Sequence, residues 1–165
     1  EHPPPQSPKK EKACPAPKLL PAPPARPLGC GADVVNSYSD FHTLPDWGWR
    51  YTDVEEFTVT HRDSVASGAL MVALRHRGDY PYMDVCLEVE QADSAGVVSR
   101  RDTVTIPLAD RFGKWRGSGV GTSFQIVDTV GVIKNHTTGG KVRIRHLMRR
   151  DTLPGINQVG VFFVP

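Results

Sequence analysis

The chain lacks the features that mark several large classes of protein. Its apolar runs fall far short of the roughly 18 residues that a membrane-spanning helix needs. No CxxC pair occurs, and three cysteines among 165 residues define no internal disulfide framework. The formal net charge is only +2, so we expect no nucleic-acid partner. No secretory signal is recognisable, because the basic residues near the start are followed by prolines rather than by an apolar run.

Motifs for catalysis and cofactor binding are also missing. The histidines are scattered, and none has the HxxxH or HExxH spacing of a metal site. No GxSxG nucleophile elbow occurs, and the GxGxG that begins at Gly117 is not followed by a helix signal or by GK[ST]. These absences predict a protein that is not an enzyme and holds no metal or cofactor. Three histidines fall on apolar strand faces and are predicted to be partly buried: His61, His76 and His146.

Residues 1–32 form a proline-rich arm that precedes the folded domain, which we place at 33–165. Ten of the 15 prolines lie in this arm, and it has too little apolar surface to order itself. We interpret it as a disordered spacer of polyproline character. The alternative is a ligand for a PxxP-reading domain, because that spacing occurs at Pro5–Pro8 and at Pro21–Pro24.

Cys30 closes the arm and has two interpretations. The segment Leu28–Gly29–Cys30 has the small-residue-then-cysteine pattern of a bacterial lipid-attachment site. An acyl chain there would hold the domain at a membrane surface without a spanning helix. The preceding residues do not form a usable signal core, so a free thiol remains the alternative.

Short alternating segments dominate the rest of the chain. Apolar and polar residues alternate with period 2, turn residues separate the segments, and no sustained 3.6-residue period occurs. This pattern predicts an all-β, antiparallel β-sandwich, jelly-roll-like, of seven or eight strands. The aromatic segment 33–51 is predicted to cover a sheet or to form a short edge strand. The predicted strands lie near residues 57–61, 70–76, 84–90, 103–108, 122–133, 141–146 and 159–164.

The segment 102–119 begins as a strand and ends in a glycine-rich loop around Trp115. Gly113 and Gly117 frame this indole, so the backbone can turn sharply on either side of it. The ring could pack against one end of the sandwich, or it could stand out as a contact surface. We expect it to be packed, which leaves Lys114 and Arg116 as the side chains that a partner would touch.

Four arginines form the clearest basic cluster of the sequence. Arg143 and Arg145 share one face of a predicted strand, which favours a solvent-exposed position. One interpretation is a solvated or ion-paired face, with Asp110 and Asp151 as the acidic partners. The other is contact with an anionic surface such as lipid headgroups or an acidic partner. The cluster is completed after the strand by Arg149 and Arg150.

Three blocks of the sequence resemble the GldH family of gliding-motility lipoproteins. They read RHRGDYPYMDVCLEV at 75–89, DTVTIPLADRFGKWRGSG at 102–119 and HLMRRDTLPGINQVGVFFV at 146–164. All three occur in the order and spacing of the family, and the resemblance covers roughly residues 30–164. In that family a lipidated cysteine precedes an aromatic segment, as Cys30 does here. The chain departs from the family pattern in its proline-rich lead-in, where the family has a hydrophobic signal peptide.

The resemblance implies a non-enzymatic, membrane-anchored lipoprotein of the cell envelope that faces the periplasm. Its implied partners are envelope proteins of a motility or secretion complex, and Cys30 is the implied acyl site. The family-motif residues that we take as interaction candidates are Tyr80, Pro81, Tyr82, Asp110, Gly113, Lys114, Trp115, Gly117, Met148, Arg149, Asp151 and Gly155.

Two further classes of function stay open at this point. A carbohydrate-binding sandwich would use Trp47, Trp49 or Trp115 as stacking platforms, and two exposed, coplanar tryptophans on a concave sheet would favour it. A hydrolase would require a cleft with paired carboxylates, for which the candidates are Asp84, Glu88 and Asp110.

Overall fold

A computed structural model describes residues 38–61 and 65–165, which form antiparallel strands and no helix. The all-β fold class predicted from the alternation is therefore confirmed. The predicted arm at 1–32, with Cys30, lies outside the described residues. Within the described ranges there is no helix long and apolar enough to cross a membrane.

Eleven strands are present in the described ranges, and most of them follow the predicted alternation. Their bounds are β1 Tyr38–Thr43, β2 Trp49–Arg50, β3 Glu55–Val59, β4 Val65–Arg77, β5 Asp84–Ala92, β6 Val98–Pro107, β7 Ser118–Val120, β8 Ser123–Thr137, β9 Gly140–His146, β10 Thr152–Leu153 and β11 Ile156–Val164.

The long strands are arranged in two sheets. One has five strands in the order β1-β11-β4-β8-β7, and the other has four in the order β3-β9-β5-β6. A two-stranded piece, β2 with β10, joins the loop after β1 to the loop before β11. The segment 33–51 thus contains the edge strand β1, as the sequence predicted, and β2 besides.

A single hydrophobic core joins the inner faces of the two sheets. β4 and β11 contribute one half and β5 and β9 contribute the other, because every second residue of each strand points inward. Each fully buried aliphatic or phenyl side chain stabilises the fold by about 1.5–3 kcal/mol. At one edge the ring of His42 on β1 stacks at 4.2 Å on the ring of Phe57 on β3, so the two sheets also touch there.

The sequence-based strand count of seven or eight is too low. β7 and β10 contain three and two residues, which are too few to show a period. β6 begins at Val98, five residues before the predicted start, because it pairs with β5 along its whole length. The predicted burial of three histidines is confirmed: His61 is half-buried, and His76 and His146 are fully buried.

Candidate functional site

Two of the three family-like blocks meet at one end of the sandwich, in what we call the aromatic end cluster. Its members are His76, Tyr80, Tyr82, Trp115 and Phe124. The Trp115 ring lies 4.5 Å from that of His76 and 6.0 Å from that of Phe124, measured between ring centroids. Tyr80 adds an edge contact to Tyr82 at 5.7 Å. Trp115 is half-buried and packs on the core, so the packed role expected for this ring is confirmed.

The loop before Trp115 is held by Asp110. Its Oδ1 accepts hydrogen bonds from the amides of Phe112, at 2.8 Å, and of Lys114, at 3.0 Å. Gly113 adopts a φ of 81°, a left-handed conformation in which other residues are strained. Asp110 therefore shapes the turn that places the indole.

Close backbone approaches explain two more motif glycines. A Cβ at Gly117 would lie 2.2 Å from the carbonyl oxygen of Gln125, and a Cβ at Gly155 would lie 3.1 Å from the Cα of Tyr80. Met148 is also structural, because its sulfur accepts a hydrogen bond from the buried amide of Cys86 at 3.3 Å.

The interaction candidates thus divide by burial. Three are buried and cannot meet a partner: Tyr80, Met148 and Gly155. Six are half-buried around the end cluster and its loops: Pro81, Tyr82, Asp110, Gly113, Trp115 and Gly117. Three remain exposed: Lys114, Arg149 and Asp151.

A different surface concentrates charge, on the outer face of the four-stranded sheet. We call it the ionic face. It contains four basic and three acidic side chains, and all seven point away from the core. They are Glu56 on β3, Lys141, Arg143 and Arg145 on β9, Glu88 and Glu90 on β5, and Arg101 on β6.

One row of the ionic face runs across all four strands with alternating sign. The strand register places Glu56 opposite Arg143, Arg143 opposite Glu90, and Glu90 opposite Arg101. Arg143 Nε donates to Glu56 at 2.7 Å, and its Nη1 lies 3.9 Å from Glu90. Arg101 forms an ion pair with the other side of Glu90. Opposite charges at directly facing positions stabilise a sheet, and this row repeats that arrangement three times.

Two further ion pairs flank this row. Lys141 Nζ donates to Glu56 at 2.7 Å, and Arg145 Nε lies 2.8 Å from a carboxylate oxygen of Glu88. Hydrogen bonds from Lys141 and then Arg143 hold the pKa of Glu56 below its usual range. The carboxylate of Glu88 in turn raises the pKa of Arg145. Glu56 and Arg145 are therefore charged at neutral pH.

An open cavity of about 330 Å³ lies over the ionic face, lined by its arginines and glutamates and by Val54. Tyr51 stands at the same side, with the Arg145 guanidinium 5.3 Å from its ring centroid. Both Tyr51 and Val54 are exposed, at 41% and 46%. The surface thus combines paired charges with exposed apolar side chains at one side.

The predicted solvent face of Arg143 and Arg145 is correct, but the predicted acidic partners are wrong. Asp110 is engaged by turn amides, and Asp151 follows β9 in an exposed loop. The glutamates of neighbouring strands take their place because cross-strand pairs are nearer than residues in a following loop. The other two arginines of the predicted cluster, Arg149 and Arg150, lie in that loop and outside the ionic face.

Two exposed tryptophans would have favoured the carbohydrate-binding alternative, and the structure does not provide them. Trp49 is fully buried, with its indole N–H donating to the carbonyl of Asp53 at 2.9 Å. Trp115 is packed in the end cluster, so Trp47 alone stands out, at 58% exposure. Of the three carboxylates named for a hydrolase cleft, Glu88 is ion-paired to Arg145 on the ionic face and Asp110 accepts hydrogen bonds from turn amides.

Most of the ionic face escaped the sequence analysis. Glu56, Glu90, Arg101 and Lys141 were not singled out, since each looks like an ordinary solvent-facing strand residue. The available signal was the i, i+2 repetition of one sign on a strand, acids on β5 and bases on β9. Only the register of the sheet turns those repeats into one surface.

The fold and the surface define an all-β sandwich protein with an ion-paired outer face on one sheet. The chain belongs to the GldH lipoprotein family, whose model matches residues 36–162. The predicted family is therefore confirmed. Membership of a lipoprotein family indicates a membrane-anchored protein of the cell envelope. No curated protein matches the chain.

Several solved structures share a limited likeness with the chain. An uncharacterized protein, lmo2446, from Listeria monocytogenes EGD-e has a TM-score of 0.39 at 15% identity, over 76% of this chain and 11% of that one. The cycloalternan-forming enzyme from Listeria monocytogenes has a TM-score of 0.40 at 15% identity, over 77% and 11%. Dimeric latent PorU from Porphyromonas gingivalis has a TM-score of 0.33 at 8% identity, over 82% and 13%. Likenesses of this size carry no inference about function.

Proposed function

We propose that this protein is a non-enzymatic lipoprotein of the cell envelope that acts as an interaction or assembly module. Its setting is the motility or secretion machinery, and the domain faces the periplasm from an anchor at Cys30. The ionic face is the observation that carries this proposal, because a rigid sheet presents charged and apolar groups together in an open cavity. Such a surface requires no ordering before it binds, which lowers the cost of association.

The experiment is affinity capture from native envelopes with a tagged, full-length protein. The double variant Arg143→Gln/Arg145→Gln removes two cations of the ionic face. The control Arg77→Gln/Arg111→Gln removes two cations outside it, one at the end of β4 and one in the loop between β6 and β7. We expect the first variant to lose its captured envelope proteins and the second to retain them. Equal capture by the wild type and both variants would contradict a role for the ionic face.

The anchor is tested separately, by metabolic labelling with a fatty-acid analogue in the native host. We expect the wild type to take up label and Cys30→Ala to lose it. Label that persists in Cys30→Ala would exclude this cysteine as the acyl site.

A further inference from the structure

The basic residues of the ionic face form a straight row along one strand. Lys141, Arg143 and Arg145 occupy alternate positions of β9, and all three point outward between the buried residues of the same strand. An antiparallel strand rises about 3.4 Å per residue, so neighbouring charges stand about 7 Å apart and the row extends about 14 Å. The row is a linear array with a defined spacing rather than a diffuse basic patch.

The bases of the β9 row are more exposed than the acids of β5 beside them. The side chains of Glu88 and Glu90 are each 13% exposed, whereas those of Arg143, Lys141 and Arg145 are 26%, 30% and 31% exposed. The β5 acids therefore lie deeper than the row, while Glu56, at 37% exposure, lies beside Lys141 and Arg143 at the surface. An approaching molecule meets the guanidinium of Arg145 before the carboxylate of Glu88.

The arginines of the row also keep donors for another ligand. A guanidinium carries five N–H donors. Within the described residues, Glu88 contacts Arg145 through Nε, and Tyr51 lies against the guanidinium. The Nη groups of Arg145 are thus left for a carboxylate, and a carboxylate can accept two of their N–H groups at once.

We propose that the β9 row binds an extended acidic segment of a protein partner, in which Asp or Glu recurs at every second residue. The side chains on one face of an extended peptide are also about 7 Å apart, so three acids in alternation match three bases in alternation. Tyr51 and Val54, at the Arg145 end of the row, supply apolar contact for the residue that follows the acids. This inference rests on the proposed function and names the chemistry of the partner.

The test uses two labelled heptapeptides of identical composition and charge. In one, three glutamates alternate with four threonines; in the other, the three glutamates are consecutive. Fluorescence anisotropy with the full-length chain at low ionic strength should give about tenfold tighter binding to the alternating peptide, a difference of about 1.4 kcal/mol. Added salt should weaken the binding of both peptides, because the contacts are charged and partly exposed. Equal affinity for the two peptides would overturn the proposal, since charge alone would then explain binding.

Variants assign the binding to the row. Arg143→Gln/Arg145→Gln should weaken binding of the alternating peptide at least about tenfold, while the matched control Arg77→Gln/Arg111→Gln should bind it like the wild type. Arg145→Lys keeps the charge and removes the planar guanidinium, so its affinity for the alternating peptide should lie between those of the wild type and the double variant Arg143→Gln/Arg145→Gln. If a substitution unfolds the protein, amide shifts of wild-type β9 during the peptide titration decide, and unshifted β9 signals would overturn the proposal.

Binding to phosphatidylglycerol vesicles tests whether the ligand of the row is an acidic segment or a lipid surface. We expect no loss of vesicle binding in Arg143→Gln/Arg145→Gln. If vesicle binding depends on these arginines and the protein shows no preference between the two peptides, the row binds lipid headgroups rather than an acidic segment, and the proposal is overturned. If the peptides fail while envelope capture still depends on Arg143 and Arg145, this inference fails and the proposed function stands.

Discussion

The aromatic end cluster and the ionic face lie on one sandwich but arise from opposite kinds of sequence. The end cluster comes from conspicuous motifs, with glycines, tyrosines and a tryptophan at close spacing. The ionic face comes from four strands without any motif. In the structure the conspicuous residues hold the fold together, because they are packed or lie at backbone turns. The inconspicuous ones form the surface that a partner can reach. In this chain the recognisable sequence motifs therefore mark residues needed for packing, not residues that are accessible to a partner.

The largest expected effect is on the end cluster, where Tyr80→Ala should strongly destabilise the protein. Tyr80 is 1% exposed, and truncating a buried aromatic side chain costs about 3–5 kcal/mol. Tyr80→Phe is the matched control; it removes only the hydrogen bond from the hydroxyl to the Asp84 carbonyl, worth about 1 kcal/mol. Urea denaturation measures both. A smaller loss of unfolding free energy in Tyr80→Ala than in Tyr80→Phe would contradict the structural role of the end cluster.

A second effect tests the loop that carries Trp115. Gly117→Ala would bring a Cβ against the carbonyl of Gln125, and overpacking of this kind costs about 1–3 kcal/mol. Gly131→Ala is the control, because a Cβ there meets nothing within 4 Å. The urea midpoint should fall for Gly117→Ala and stay within experimental scatter for Gly131→Ala. Equal midpoints would mean that the close approach at Gly117 carries no strain.

A third effect concerns His146, on the inner side of the strand that carries the basic row. Its Nε2 donates to the Trp49 carbonyl at 3.0 Å, and burial lowers the pKa of the imidazole below its usual 6.5. Below pH 6.5 the unfolded chain binds a proton at this imidazole, whereas the folded chain does not bind it until the pH reaches the lowered pKa. Stability should therefore fall as the pH drops from 6.5 toward the lowered pKa.

Denaturation at several pH values, in the wild type and in His146→Gln, isolates this contribution. The wild type should lose more stability than the variant between neutral and mildly acidic pH. An NMR titration of the imidazole should give a midpoint below 6.5. A midpoint at or above 6.5 would contradict the burial argument.

The smallest expected effect on stability is at the ionic face. Arg145→Gln breaks a partly exposed ion pair with Glu88, and such pairs contribute little to folding. Its thermal midpoint should stay close to that of the wild type, while its binding to the alternating peptide should weaken. A large loss of stability with unchanged binding would reverse the comparison and make the ionic face a structural element.

The fold was largely predictable because strand alternation is a local property. The seven predicted strands all exist, and the family blocks identified the chain. β2, β7 and β10 were not predicted as strands, because two or three residues show no period and exist as strands only through pairing. For the candidate site, the shared outward face of Arg143 and Arg145 followed from alternation. Their partners did not, because Glu56, Glu88 and Glu90 belong to strands far away in the chain.

The sequence by itself determined the fold class, the family and the side of each strand that faces the core. All of these depend on residue type and period within a short segment. Only the tertiary structure decided which side chains meet across strands, from the packed Trp115 to the row Glu56, Arg143, Glu90 and Arg101. The reason is register: pairing between β3, β9, β5 and β6 places these charges opposite one another, and a slip of one residue would turn each strand over.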